Sequence, residues 1–125
     1  MINVLIVAPC KLPYEQVIEN TLEMKEKIVG GPLQYTCTLD DDSISIIYND
    51  DAKKRFAPLN RYIGHDIISG TFIIAGRDEN TGGLISLTKE QVEKYKDRFG
   101  MESFEETERK RKERIIEKYK KELGY

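Results

Sequence analysis

Apolar and polar positions follow several different rhythms along this chain. Residues 2–8 (INVLIVA) form an apolar run rich in β-branched side chains. That is the pattern of a strand buried on both faces, near the middle of a sheet. Pro9 and Pro13 bracket a loop, and proline has no N–H to give a ladder, so the strand ends near Ala8. From Tyr14 the period lengthens. Tyr14, Val17, Ile18, Thr21, Leu22, Met24 and Ile28 largely follow helical spacing, with Glu and Lys between them. The spacing predicts a helix covering one sheet face. Gly30 and Gly31 supply its stop, since glycine tolerates the left-handed conformation past a helix end.

Residues 34–39 alternate strictly, with Tyr35, Cys37 and Leu39 on one side, which predicts a half-buried strand. Asp40, Asp41, Asp42 and Ser43 make a turn, and residues 44–48 return as the second strand of a hairpin. Asn49, Asp50 and Asp51 begin another turn, and Phe56 with Ala57 adds a short strand before Pro58. Residues 66–76 read as one strong strand, with Gly70 inside it as a bulge or a close backbone approach. Residues 78–83 are a loop, and residues 84–87 a brief edge pairing.

Two helices close the chain, each opened by a capping-box signature. Thr88 with Gln91 starts the first, which ends at Gly100, and Ser103 with Glu106 starts the second. The second has a narrow apolar stripe (Phe104, Ile115, Ile116, Tyr119 and Leu123) and a wholly charged middle from residue 108 to 114. A helix that polar projects from its domain or pairs with another chain. The order predicts an α+β domain: a small, mainly antiparallel sheet, one N-terminal covering helix and two C-terminal helices. Residues 1–100 form the core, and residues 101–125 a charged helix of the same domain, an expected oligomerisation arm.

Length and composition add limits. At 125 residues the chain is one domain, large enough for a core without staples. Cys10 and Cys37 lack metal-ligand spacing, and two buried thiols in a reducing cytosol is the expectation. No apolar run reaches the ~20 residues needed to span a bilayer. VLIVA has no basic lead-in to make it a secretion signal. The expected location is cytoplasmic, with no membrane partner. Twenty basic and 22 acidic side chains argue against a dedicated nucleic-acid binder. From Ser103 onward the balance is eight basic to six acidic, too mild to define a partner.

Candidate chemistry is sparse. His65 is the one side chain with a near-neutral ordinary pKa. Asp66 beside it offers an orienter, but no nucleophile can be placed near them, and a surface turn is the plainer reading. The Asp40–Asp42 and Asp50–Asp51 clusters lack the calcium-loop spacing and read as solvated turns. The basic run RKRKER at 109–114 is interleaved with glutamates and reads as a solvated helix face. No phosphate loop is present. Asn60 and Arg61 stand out: arginine offers a planar fork suited to phosphate or carboxylate, on backbone constrained by Pro58. With Thr71 and Phe72 beside Gly70, they are the expected ligand contacts. An ordinary loop with an outward arginine is the alternative. No catalytic residue, metal ligand or cofactor is assigned.

The opening INVLIVAPCKLPYEQVIENTLEMKEKIVGG, with IYNDDAK, the PLNR segment and the GTFIIAG strand, resembles the domain-of-unknown-function family three-eight-four-six. The similarity covers about residues 1–95. Pro32 after the Gly-Gly and the long charged C-terminal helix depart from the family pattern. The resemblance implies a small protein of bacteria, phages or conjugative elements, and brings no catalytic residues. On that ground the first expectation is a non-enzymatic binding protein of a phage or mobile element. It would act in counter-defence, sequestering a small anionic, nucleotide-like signal or a host defence protein. The second is a protein–protein interaction module dimerising through its C-terminal helices. A hydrolase or nuclease built on Asp66 and His65 is a third.

Overall fold

A single antiparallel sheet organises the chain, and its strand order is not its sequence order. The computed structural model describes residues 1–36, 41–52, 55, 57–63, 66–122 and 124, with backbone alone for 101–104. The elements are β1 (Ile2–Val7), β2 (Tyr14–Ile18), α1 (Leu22–Val29), β3 (Leu33–Thr36), β4 (Ile44–Asn49), β5 (Leu59–Ile63), β6 (Asp66–Ser69), β7 (Phe72–Arg77), β8 (Leu84–Ile85), α2 (Lys89–Arg98) and α3 (Met101–Glu122). The main sheet runs β2–β1–β7–β4–β3, with β8 added to β7, and β5 pairs with β6 as a separate ribbon. Every described pairing is antiparallel. The α+β reading stands.

Strand periodicity divides the core in two. Leu5, Val7, Ile44, Ile46, Phe72 and Ile74 point to one face, where they meet Ile63 and Ile68 of the ribbon, Val92 and Tyr95 of α2 and Phe99 just past its end. Val4, Ile6, Ile47, Ile73 and Ala75 point to the other, against Val29, Met24 and Ile28 of α1. Alternate residues of β1, β4 and β7 are thus apolar on both sides, which is why these strands read as continuous apolar runs. Burying each valine, leucine, isoleucine or phenylalanine among them contributes roughly 1.5–3 kcal/mol. Phe99 meets Phe72 edge-on at 5.5 Å between centroids and stacks on Tyr95 at 6.4 Å.

Several expectations need correction. Residues 14–18 are a strand, not the start of a helix: β2 pairs with β1 from Ile2↔Ile18 to Ile6↔Tyr14. Four of its five side chains are exposed, as an edge strand allows, so the apolar spacing did not report its true partner. The helix starts only at Leu22, capped by Thr21, whose Oγ1 accepts the Met24 N–H at 3.2 Å, and it ends at Gly30 with φ 85°.

Residues 66–76 are two strands in two sheets. Gly70, at φ 76°, turns the corner between β6 and β7, a conformation that side chains disfavour, and its N–H bonds Pro58 O at 2.8 Å. Asn60 and Arg61 lie in β5, not in a loop. Ala57 is outside any strand, and Phe56, Cys37, Leu39, His65 and Leu123 fall outside the described residues. Cys10 is exposed, so the expectation of two buried thiols fails.

The C-terminal half follows the pattern more closely. β8 pairs with β7 at Gly76↔Ile85, and a Cβ on Gly76 would lie 2.6 Å from Ser86 O, so no side chain fits there. The Thr88–Gln91 capping box is present in both directions. α3 starts at Met101, so Ser103 is inside the helix and not its cap. Its first turns pack on β5, where Thr107 is buried, while residues 111–122 are exposed throughout.

Candidate functional site

The four residues expected to meet a ligand sit together around the Gly70 corner, facing inward. Asn60, Arg61 and Phe72 are buried, and Thr71 is half-buried. Asn60 Nδ2 donates to Val7 O at 2.7 Å and to Gly70 O at 2.8 Å. Arg61 spreads its fork over three segments: Nε to Phe99 O at 3.3 Å, Nη2 to Lys11 O at 2.7 Å, and Nη1 to Asn60 Oδ1 at 2.9 Å. Burial lowers the guanidinium's pKa from its ordinary value, and Cys10 acts in the opposite direction. The donors that would suit a phosphate are here engaged with carbonyl groups of the chain itself. None of the four lines either cavity described next.

The larger cavity, about 490 Å³, opens on the α1 side of the sheet. Asn20, Lys25, Tyr35, Thr36, Ser45, Arg77, Gly82, Gly83 and Leu84 line it. Its volume falls within the usual range of small-molecule sites. Each element contributes for a local reason. Lys25 shares a helix face with Ile28 and Val29, three and four residues on, so the packing that buries Val29 also draws Lys25 inward. Lys25 is only 7 % exposed. Its Nζ donates to Asn20 Oδ1 at 3.2 Å and Tyr35 OH at 3.4 Å, and lies 5.6 Å from the Tyr35 ring centre.

Arg77 ends β7 and donates from Nη1 to Asp42 O at 3.1 Å. Its Nη2 lies 3.7 Å from where a Cβ on Gly82 would be, so the glycine turn brings bare backbone close to the guanidinium. No carboxylate is among the lining residues, and neither Lys25 nor Arg77 has an ion pair among the described residues. The cavity therefore presents two cations, a tyrosine that is 47 % exposed, two aliphatic hydroxyls and a glycine turn. That set matches an anion carrying a flat apolar part.

A smaller cavity of about 280 Å³ lies between β4 and the β5–β6 ribbon. Its lining includes Asp50 and Asp66 and no lysine or arginine, the opposite charge character. Among the described residues no cluster of His, Cys, Asp and Glu is placed to hold a metal ion.

Asp41, expected to be solvated, is instead the centre of a clasp. Its carboxylate accepts from the Ser43 hydroxyl and N–H and from the Tyr95 hydroxyl. The Ser43 hydroxyl, then the Tyr95 hydroxyl, hold its pKa down at about 2. Gln91 Nε2 donates to Ser43 Oγ at 2.9 Å, tying α2 to the same turn. Lys25, Arg77 and Asp41 were all missed as special positions. For Lys25 the shared face with Val29 was a usable signal; for the other two no local signal existed.

A family model described as Domain of unknown function (DUF3846) matches residues 2–100. No curated protein and no solved structure matches the chain.

Proposed function

The chain belongs to this family of unknown function, and from that premise we propose that it binds a small anionic, nucleotide-like ligand without turning it over. The ligand sits in the cavity between α1, β3 and the turn before β8. Lys25 is the observation that carries the reading. A buried ammonium is costly unless compensated, and its partners here, Asn20 and Tyr35, are neutral. A phosphate between Lys25 and Arg77 would supply the missing charge, with a base laid on the Tyr35 ring. The biological setting we attach to it is sequestration of such a signal by a phage or mobile-element protein in counter-defence.

Two measurements test this. The purified protein is denatured, and the released small molecules are read by mass spectrometry. The refolded or ligand-free protein is then titrated calorimetrically with ATP, cyclic AMP and a cyclic dinucleotide. The expected result is binding of at least one probe, recovered intact. Lys25→Met and Arg77→Gln should each weaken it at least about tenfold, or about 1.4 kcal/mol. Failure of all three probes to bind, or binding unchanged in Lys25→Met, removes the reading. Conversion of the bound probe to a product removes the claim that it is not turned over.

A further inference from the structure

The outer part of α3 carries a surface that the rest of the chain leaves uncovered. Ile115, Ile116 and Tyr119 are 50 %, 54 % and 64 % exposed. Successive helical residues are about 100° apart, so these three fall on one side of α3. Thr107, buried, marks the side that packs on the body. Ile116 is about 180° around from it, Tyr119 about 120° and Ile115 about 80°, so the stripe is centred away from the packed side and approaches it only at Ile115. Lys112 lies within the arc of the stripe, one turn before Ile116, and the charges around it are mixed in sign: Glu113 and Lys120 flank the stripe on one side, Arg111 and Glu122 on the other.

We propose that this stripe is the contact by which a second copy of the chain pairs, with the two α3 helices antiparallel across a two-fold axis between Ile116 and Glu117. In that register Ile116 packs beside Ile116 of the second copy, and Ile115 beside its Tyr119, each offset by about one residue. Glu113 then lies beside Lys120 of the second copy, and Arg111 beside its Glu122, each pair occurring twice by symmetry. Within one chain Glu113 now pairs with Lys110 at 3.7 Å and Arg111 with Glu108 at 3.8 Å. Exposed pairs of that kind contribute little, so exchanging them across a dimer costs little. Three apolar side chains per copy make a small contact, so the dimer is weak and concentration-dependent. It is independent of the ligand cavity, which lies on the α1 face.

Sedimentation velocity on the full chain at rising concentration tests the proposal. The expected result is a shift from monomer to dimer. Ile116→Asp should abolish the shift, and Glu113→Lys should weaken it about tenfold or more. The double variant Glu113→Lys with Lys120→Glu should restore it. All these positions are exposed, and unchanged circular dichroism confirms that each variant is folded. A monomer at every concentration, or a dimer that Ile116→Asp leaves intact, overturns the proposal. So does a double variant no better than Glu113→Lys.

Discussion

Arg61 bonds the β1–β2 loop at Lys11, its neighbour Asn60 and the end of α2 at Phe99, all from one position on β5. Removing the fork strands several buried carbonyls together. Arg61→Met should therefore cost about 3–5 kcal/mol, measured as a drop in the urea midpoint at unchanged slope. Arg61→Lys should recover only part of the loss, because an ammonium cannot span three diverging acceptors. The sequence marked Asn60–Arg61 as unusual without revealing its partner. A guanidinium fork suits a phosphate and a set of carbonyls equally, and two of its acceptors lie 38 and 50 residues away. Lys25 is the converse. It read as ordinary helix surface, and it is the cation that the packing of α1 draws into a cavity.

Between elements, the clasp of Asp41 with Ser43, Gln91 and Tyr95 joins the turn before β4 to α2. Asp41's pKa is lowered from 3.8 to about 2, so the folded state favours the carboxylate. Its contribution is complete above about pH 4 and is lost as pH falls toward 2. Tyr95's pKa is raised, chiefly by burial and then by its bond to Asp41, so its contribution weakens only above about pH 10. Urea melts from pH 5 to pH 2 should show Asp41→Asn losing less stability on acidification than the parent chain. At pH 7, Tyr95→Phe should cost about 1.5–3 kcal/mol, the value of a hydrogen bond to a charged group. The capping box of α2 was legible because its partners are three residues apart. The clasp was not, since Tyr95 and Asp41 are 54 apart. β2 was misread for a related reason: the exposed side chains of an edge strand carry no alternating signature for its pairing.

Across the molecule, the sheet buries apolar side chains on both faces, and each helix or ribbon covers one of them. The outer part of α3 takes no share in this. Deleting residues 109–125 should change stability by no more than about 1 kcal/mol, while deleting 101–125 should cost clearly more by uncovering β5. Circular dichroism with urea unfolding distinguishes the two.

What the sequence by itself determined were the features set by near neighbours. These are the two-faced strand β1, the return of β4 on β3, the capped α2, the charged α3, and with them the α+β class and family membership. Tertiary structure alone decided that residues 66–76 split between two sheets, that Asn60 and Arg61 face inward, and that Lys25, Tyr35 and Arg77 share one cavity. The physical reason is range. Periodicity and capping act over three or four residues, whereas the partner of a buried polar group depends on which distant segment the hydrophobic layers bring beside it.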